Sequence, residues 1–339
     1  MGLFEPTREP NASPLLLDVK DLRVDFAGEH GRLEVVSGVS FQVNAGETVG
    51  LVGESGSGKT VTGLSIMGLI PDPPGRITHG EINFDGRDLR KLSREQLRRV
   101  RGAEISMIFQ DPMTSLSPSF TVGDQIAEAL RLHTGVGRRA ARERAVEMLD
   151  LVGIPKAAQQ VDRYPHEFSG GMRQRAMIAI ALSCRPKLLI ADEPTTALDV
   201  TIQSQILDLI RSLRDELGMA VLFVTHDLGV VAETCDRVVV MYAGQVMEMA
   251  PVMDIFADPR HPYSEGLLNS LPRFDEEQQV LESIPGTVPT PDKMPTGCRF
   301  RERCRYAIDQ CRNEIPLTTD GVHEVRCIRA HELDLVGTE

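Results

Sequence analysis

One octapeptide limits what this chain can become more than any other stretch: Gly53-Glu54-Ser55-Gly56-Ser57-Gly58-Lys59-Thr60, a match to G-x-x-x-x-G-K-[ST]. It follows an apolar run, Thr48 to Val52, that reads as a strand, and precedes Val61 to Ile70, which reads as a helix. A glycine-rich turn between strand and helix lets successive backbone N–H groups curl inward, the arrangement that cradles phosphates. Gly53, Ser55, Gly56 and Gly58 form that cradle, Lys59 reaches the β- and γ-phosphates, and Thr60 is the magnesium ligand. The helix N-terminus adds a favourable field for negative charge. A glycine-rich surface turn is the bland alternative, and the flanks disfavour it. The octapeptide therefore predicts binding of a nucleoside triphosphate.

The surrounding pattern says which scaffold carries the loop. Short alternating runs at Leu15 to Phe26 and Val35 to Val43 suggest strands, as do Glu81 to Asp85 and the apolar run Ile105 to Phe109. From Thr121 to Gly153 apolar residues recur at helical spacing. Strands return at Lys187 to Ala191, Ala220 to Thr225 and Arg237 to Met241, separated by helical stretches Val200 to Leu217 and Asp227 to Glu233. Strands alternating with helices predict an α/β fold with a mostly parallel sheet. Residues 112–168 read as a helical insertion. Beyond Pro251, prolines at 285, 289, 291 and 295 mark a linker before a tail rich in cysteine and arginine, so the domains are 15–250 and 251–339.

A formal net charge of −12 argues against a partner bound through a phosphate backbone, and no nucleic acid is expected. No apolar run approaches the roughly 18 residues that cross a bilayer, and Met1 to Pro14 lacks the apolar core of a secretory signal. The expectation is a cytosolic chain with reduced thiols.

Two further motifs carry chemistry. Leu188-Leu189-Ile190-Ala191-Asp192-Glu193 is an apolar strand ending in two carboxylates. Beside a phosphate loop, Asp192 suits the magnesium shell, and Glu193 suits orienting or deprotonating the attacking water. Phe168-Ser169-Gly170-Gly171-Met172-Arg173-Gln174-Arg175 opens a helix one element earlier, and Ser169 with the N–H groups of Gly170 and Gly171 makes a second anion-binding helix start. One triphosphate does not need both starts. A head-to-tail pair of chains would use the second to close over a nucleotide held by the partner's first.

At this point residues 15–250 resemble the ABC transporter ATPases. The resemblance rests on the loop at 53–60, Gln110 at a strand end, Ser169-Gly170-Gly171, Asp192-Glu193, Ala197-Leu198-Asp199, and His226 after a core strand. It implies a P-loop NTPase with an antiparallel N-terminal β-subdomain and a helical subdomain near 112–168. It also implies that Phe26 stacks on the adenine, and that Gln110 senses magnesium, water and the membrane partner. His226 would contact the γ-phosphate and hold Glu193, and Asp199 would bridge two ATPase subunits. Ile108-Phe109-Gln110-Asp111-Pro112-Met113-Thr114-Ser115-Leu116-Ser117-Pro118, Tyr164-Pro165-His166-Glu167-Phe168 and His261-Pro262-Tyr263 look like the dipeptide, oligopeptide and nickel importer branch. Met172, where many signatures carry Gln, resembles one of two paralogous ATPases and implies a heterodimer. The implied partners are a second ATPase, two transmembrane permeases and, indirectly, an extracytoplasmic binding protein, with the chain peripheral on the cytoplasmic face of the membrane. The cargo by this resemblance is di- or oligopeptide, with nickel as the alternative. A soluble, non-transport ABC ATPase is the competing class.

The tail places Cys298, Cys304, Cys311 and Cys327 at C-x5-C-x6-C-x15-C, without the C-x2-C knuckles of common zinc ribbons. Four thiolates suit a 4Fe-4S cluster, and Arg299, Arg301, Arg303, Arg305, Arg312 and Arg326 would offset its charge and lower the thiol pKa values. Similar tails in peptide-importer ATPases resemble such a site, which favours iron over zinc; unligated cysteines are the remaining reading. His323 and His331 are spare ligands. Cys184 and Cys235 read as inert packing residues.

Overall fold

The computed structural model describes residues 13–29, 31–111, 115–196, 199–271 and 284–337. Most of Met1 to Pro14, residues Pro112 to Thr114 of the branch-specific stretch, and Ala197-Leu198 lie outside the described residues. Among the described residues the strands are β1 (Leu15–Gly28), β2 (Gly31–Asn44), β3 (Thr48–Val52), β4 (Gly75–Phe84), β5 (Arg87–Asp88) and β6 (Ile105–Ile108). They continue as β7 (Leu188–Asp192), β8 (Ala220–Thr225), β9 (Arg237–Tyr242), β10 (Gln245–Pro251), β11 (Thr318–Asp320) and β12 (His323–Val325).

Two sheets result. An antiparallel sheet of order β2-β1-β4-β5 forms the N-terminal subdomain, and the larger sheet runs β11-β12-β10-β9-β3-β8-β7-β6. Strands β9, β3, β8, β7 and β6 are mutually parallel. Every residue of β3, β7 and β8 is buried, because the antiparallel sheet with the helix Lys59–Ile66 covers one face and further helices cover the other, so the strands can be apolar without alternation. The parallel ends of β3, β7 and β8 therefore point the same way, and the loops leaving them gather at one edge.

Helices occupy Val122–Thr134, Arg138–Leu151, Ala157–Gln160 and Gly170–Leu182 in the inserted region. The first is capped by Thr121, which accepts from the Asp124 N–H, and is ended by Gly135 in the left-handed region. Buried Ile126, Leu130, Ala145, Leu149, Met177 and Phe168 share one core that continues under β7 and β8.

The C-terminal extension is not a separate appendage on a linker. Its β12 pairs antiparallel with β10, and β11 completes the edge, so the main sheet continues into the tail. Cys298, Phe300, Cys311 and Ile315 pack into one core with Tyr242 and Tyr263. Glu248 on β10, fully buried, fastens the junction: it accepts from the Arg260 and His261 N–H groups and meets His323 Nε2 at 2.6 Å.

Candidate functional site

The phosphate loop leaves β3 at Gly53, and the helix Lys59–Ile66 begins behind it with Gly58 as N-cap. Lys59 is 6% exposed. Its Nζ donates to the carbonyls of Gly53 at 2.7 Å and Glu54 at 3.1 Å and approaches Ser57 Oγ at 3.4 Å. Burial holds the ammonium below its ordinary pKa, while the charges of Glu193, Asp192 and Glu54 pull the other way.

Asp192 closes β7 directly across from this helix. Its Oδ1 accepts from the Thr60 hydroxyl at 3.1 Å. At 2% exposure its carboxyl is pushed up to about 6, chiefly by burial and also by the neighbouring Glu193 charge, against Thr60 and Lys59. A buried carboxylate short of positive charge beside a hydroxyl oxygen is a donor set that fits a hard divalent cation.

Glu193 faces the other way. Its Oε2 accepts from Gln110 Nε2 at 2.8 Å and from Thr196 Oγ1 at 3.0 Å, and its Oε1 lies 3.1 Å from His226 Nδ1. Burial works against ionisation of Glu193, but the bonds from His226 and Thr196 and the nearby charges outweigh it and hold the carboxyl below its usual value. Gln110 follows β6, Glu193 follows β7 and His226 follows β8, so three parallel strand ends bring the trio together. A cavity of about 820 Å3 opens there, lined by Gly53, Glu54, Ser55, Gln110, Glu193 and His226, and also by Ile284 and Gly286 of the extension.

Other predicted residues stand apart from that cavity. Ser169 caps the helix Gly170–Leu182, its Oγ accepting from the Met172 N–H at 3.3 Å, and Gly171 packs against Ile202. Asp199 caps the helix Val200–Leu217 by accepting from the Ile202 N–H at 2.9 Å. Ser169, Gly170, Gly171 and Asp199 therefore form a second locus on the same chain, tied to the first through Gln174, whose Nε2 donates to the Pro194 carbonyl. Phe26 is half-buried on β1 and does not line the cavity; a Cβ on Gly75 would touch its ring.

The loops that carry the four tail cysteines are neighbours. A backbone bond from Cys298 N to the Cys311 carbonyl joins their loops, and the thiols lie within electrostatic reach of one another. Backbone N–H groups of Phe300 and Arg301 reach Cys298, that of Tyr306 reaches Cys304, and that of Arg329 reaches Cys327. The expectation of lowered thiol pKa values is corrected: burial dominates the arginines, raising Cys298 and pushing Cys304 and Cys327 up to about 11. Among the described residues no group of three or more His, Cys, Asp or Glu is placed to hold a metal ion, and the six cysteines are free thiols. His323, expected as a spare ligand, is engaged by Glu248. Cys235, its thiol pushed up to about 12 by burial, fits the packing role.

Two contacts to the phosphate loop escaped the sequence reading. Tyr263 Oη accepts from the Glu54 N–H at 2.8 Å, and Arg303 grips both Glu54 carboxylate oxygens, at 2.6 and 3.0 Å. Both come from beyond residue 251, and no local signal in the chain announces them.

Among known proteins, residues 36–196 match the ABC transporter family, and residues 247–311 match the oligopeptide/dipeptide transporter C-terminal region. A probable peptide ABC transporter ATP-binding protein, y4tR of Sinorhizobium fredii, is 55% identical over 94% of this chain and 96% of its own length. The oligopeptide transport ATP-binding protein AppD of Bacillus subtilis is 52% identical over 94% and 97%. A solved dimer of the ATP-binding cassette MJ0796, bound to ADP and Pi, superposes with a TM-score of 0.63 at 27% identity, covering 70% of this chain and 99% of that one. Phosphate loop, paired strand-end carboxylates and extension thus agree with the matches at both ends of the chain, which belongs to the ABC transporter ATP-binding proteins of the oligopeptide and dipeptide transporter type.

Proposed function

We propose that this chain is the ATP-hydrolysing subunit that energises an importer of di- and oligopeptides, working as one of two ATPases beneath a pair of transmembrane permeases. The observation that carries the reading is the joined set Thr60–Asp192 and Gln110–Glu193–His226 at the rim of the phosphate-loop cavity. The relatives' printed roles in peptide transport supply the cargo class. Among the described residues no helix is long and apolar enough to cross a membrane, which suits a peripheral subunit on the cytoplasmic face served by separate permeases.

In this reading residues 15–250 are the ATPase unit, 112–168 its helical part that meets the permease, and 251–339 the accessory region. Gly53, Ser55, Gly56, Gly58 and Lys59 bind the triphosphate, and Phe26 receives the adenine. Thr60, Asp192 and Gln110 would hold Mg2+, which spreads the phosphate charge. Glu193 orients and deprotonates the attacking water, kept in place by His226 and Gln110. Ser169, Gly170 and Gly171 seal the nucleotide of the paired subunit, a paralogue, and Asp199 sits at the joint between them. Catalysis is positioning and electrostatics rather than covalent chemistry. Glu193→Gln should bind ATP normally, stop turnover and trap a stable pair with the partner ATPase. Near-normal hydrolysis in that variant would remove Glu193 from its role.

For the tail, we propose that Cys298, Cys304, Cys311 and Cys327 take a 4Fe-4S cluster, with zinc as the alternative. Support comes from the neighbouring loops of the four cysteines, from backbone N–H groups that reach three of the thiols, and from Arg301 and Arg326 close by. A bound cluster would cross-link the extension. Loading must displace thiol protons that burial retains, so it should improve as pH rises. Anaerobically purified protein should be brown, with iron and acid-labile sulfide; colourless protein carrying zinc supports the alternative, and colourless metal-free protein sinks both.

A further inference from the structure

Glu54 is an odd residue for its place. It is the second residue of the loop that must accept a triphosphate, it lines the cavity, and its carboxylate would repel what the loop binds. That charge is cancelled from far along the chain. Arg303, between Cys298 and Cys304 in sequence, pairs with both Glu54 oxygens in a two-pronged contact. Its side chain is 5% exposed against 32% for Glu54. The remaining donors of the same guanidinium reach the Pro285 carbonyl at 2.8 Å, the Ile284 carbonyl at 3.3 Å and Tyr242 Oη at 3.4 Å. Ile284 lines the same cavity as Glu54, so one side chain joins the phosphate loop, the extension's part of the cavity lining and the cysteine-bearing loop. The Tyr242 and Phe300 rings lie beneath it, with the guanidinium carbon 5.6 and 6.0 Å from their centroids, which leaves it little freedom to leave.

We propose that Arg303 is a positioning residue for nucleotide binding: it neutralises Glu54 and fixes the entrance of the phosphate loop, so that the C-terminal extension sets how tightly the triphosphate is held. The inference rests on the ATPase reading above. It also carries a reciprocal consequence, since whatever the extension does to nucleotide affinity, nucleotide does to the extension.

The test is equilibrium titration of the purified full-length chain with MgATP and MgADP. Arg303→Gln leaves the Glu54 charge uncompensated and should weaken MgATP about tenfold, and MgADP less, because the penalty scales with ligand charge. Adding Glu54→Gln should restore MgATP binding to within about threefold of the parent, an electrostatic rescue that a merely structural role for Arg303 would not give. Arg303→Gln binding within about twofold of the parent, or a double variant as weak as the single, overturns the proposal. If Arg303→Gln does not fold, Glu54→Gln decides alone. It removes the negative charge and leaves Arg303 in place, so it should bind MgATP at least as tightly as the parent, and weaker binding overturns the proposal. Failure of the unaltered chain to bind MgATP would instead defeat the ATPase reading.

Discussion

Gly53 and Gly56 stand in one motif and both take positive φ, yet alanine at the two positions should have very different consequences. At Gly56, φ is 81° and an added Cβ meets nothing within 4 Å. The cost there is left-handed backbone strain alone, about 1–2 kcal/mol, or up to about thirtyfold in affinity if all of it falls on the binding-competent loop. At Gly53, φ is 150° and the added carbon would sit 2.0 Å from the Met241 carbonyl oxygen. Met241 belongs to β9, which is hydrogen-bonded between β3 and β10 in the middle of the main sheet and cannot yield. The loop must move instead, adding an overpacking cost of about 1–3 kcal/mol to the strain. The sum, roughly 2–5 kcal/mol, corresponds to a loss of MgATP affinity of about thirtyfold to several thousandfold. Titration of both variants with a fluorescent ATP analogue, with melting temperatures recorded alongside, gives the comparison. Gly53→Ala binding within threefold of the parent, or Gly56→Ala proving the worse of the two, would refute the steric argument.

Lys59→Ala removes the ammonium that Gly53 and Glu54 carbonyls hold over the loop and should abolish measurable MgATP binding while the chain stays folded, as isothermal titration and circular dichroism can establish together. A second prediction concerns pH. His261 is fully enclosed, its Nδ1 accepting from the Tyr263 N–H, and burial, with the Arg326 charge, lowers its pKa to about 3 from 6.5. The unfolded chain then takes up a proton that the folded chain refuses, so this group's contribution is complete above about 6.5 and is lost as pH falls towards 3, by about 2 kcal/mol at pH 5. His261→Asn keeps a capping acceptor without the proton, and its melting temperature should fall less between pH 7 and pH 5 than the parent's. Parallel curves would show that His261 does not titrate as described.

The parts of this molecule that follow from neighbouring residues were legible, and those that depend on distant partners were not. Thr48–Val52, Ala220–Thr225 and Val200–Leu217 run as read, because continuous burial and helical spacing are local patterns. The first helix was expected to reach Ile70 and stops at Ile66, since Gly68 turns left-handed at φ 61° and prolines follow. The strand expected from Glu81 begins at Gly75, because β4 pairs with β1 back to Phe26, a partner that propensity does not see. The resemblance joined His226 to Glu193, but the bond from Gln110 to Glu193 was not legible, and the pairing of β12 with β10 had no signal at all. Composition suggested a loosely linked tail; Glu248, Arg303 and Tyr263 make it part of the sheet and of the site.

Asp192 and Glu193 show why adjacency in sequence says little about role. Glu193 is a non-glycine residue at φ 44°, a conformation that costs about 1–2 kcal/mol. It persists because its N–H is bonded to the Val224 carbonyl at 2.8 Å and its carboxylate is held by groups from three different segments. The kink turns Asp192 inward to Thr60 and Glu193 outward to the cavity, and the two environments drive their pKa values in opposite directions. One carboxyl is thereby a buried group against Thr60 with its pKa raised, and the other a carboxylate at the cavity with its pKa lowered. Exchanging the two residues would conserve net charge and composition but seat the longer carboxylate in the closed pocket against Thr60. The shorter one would then fall short of Gln110 and His226, so the pair is ordered by the bend between them and not by its charge.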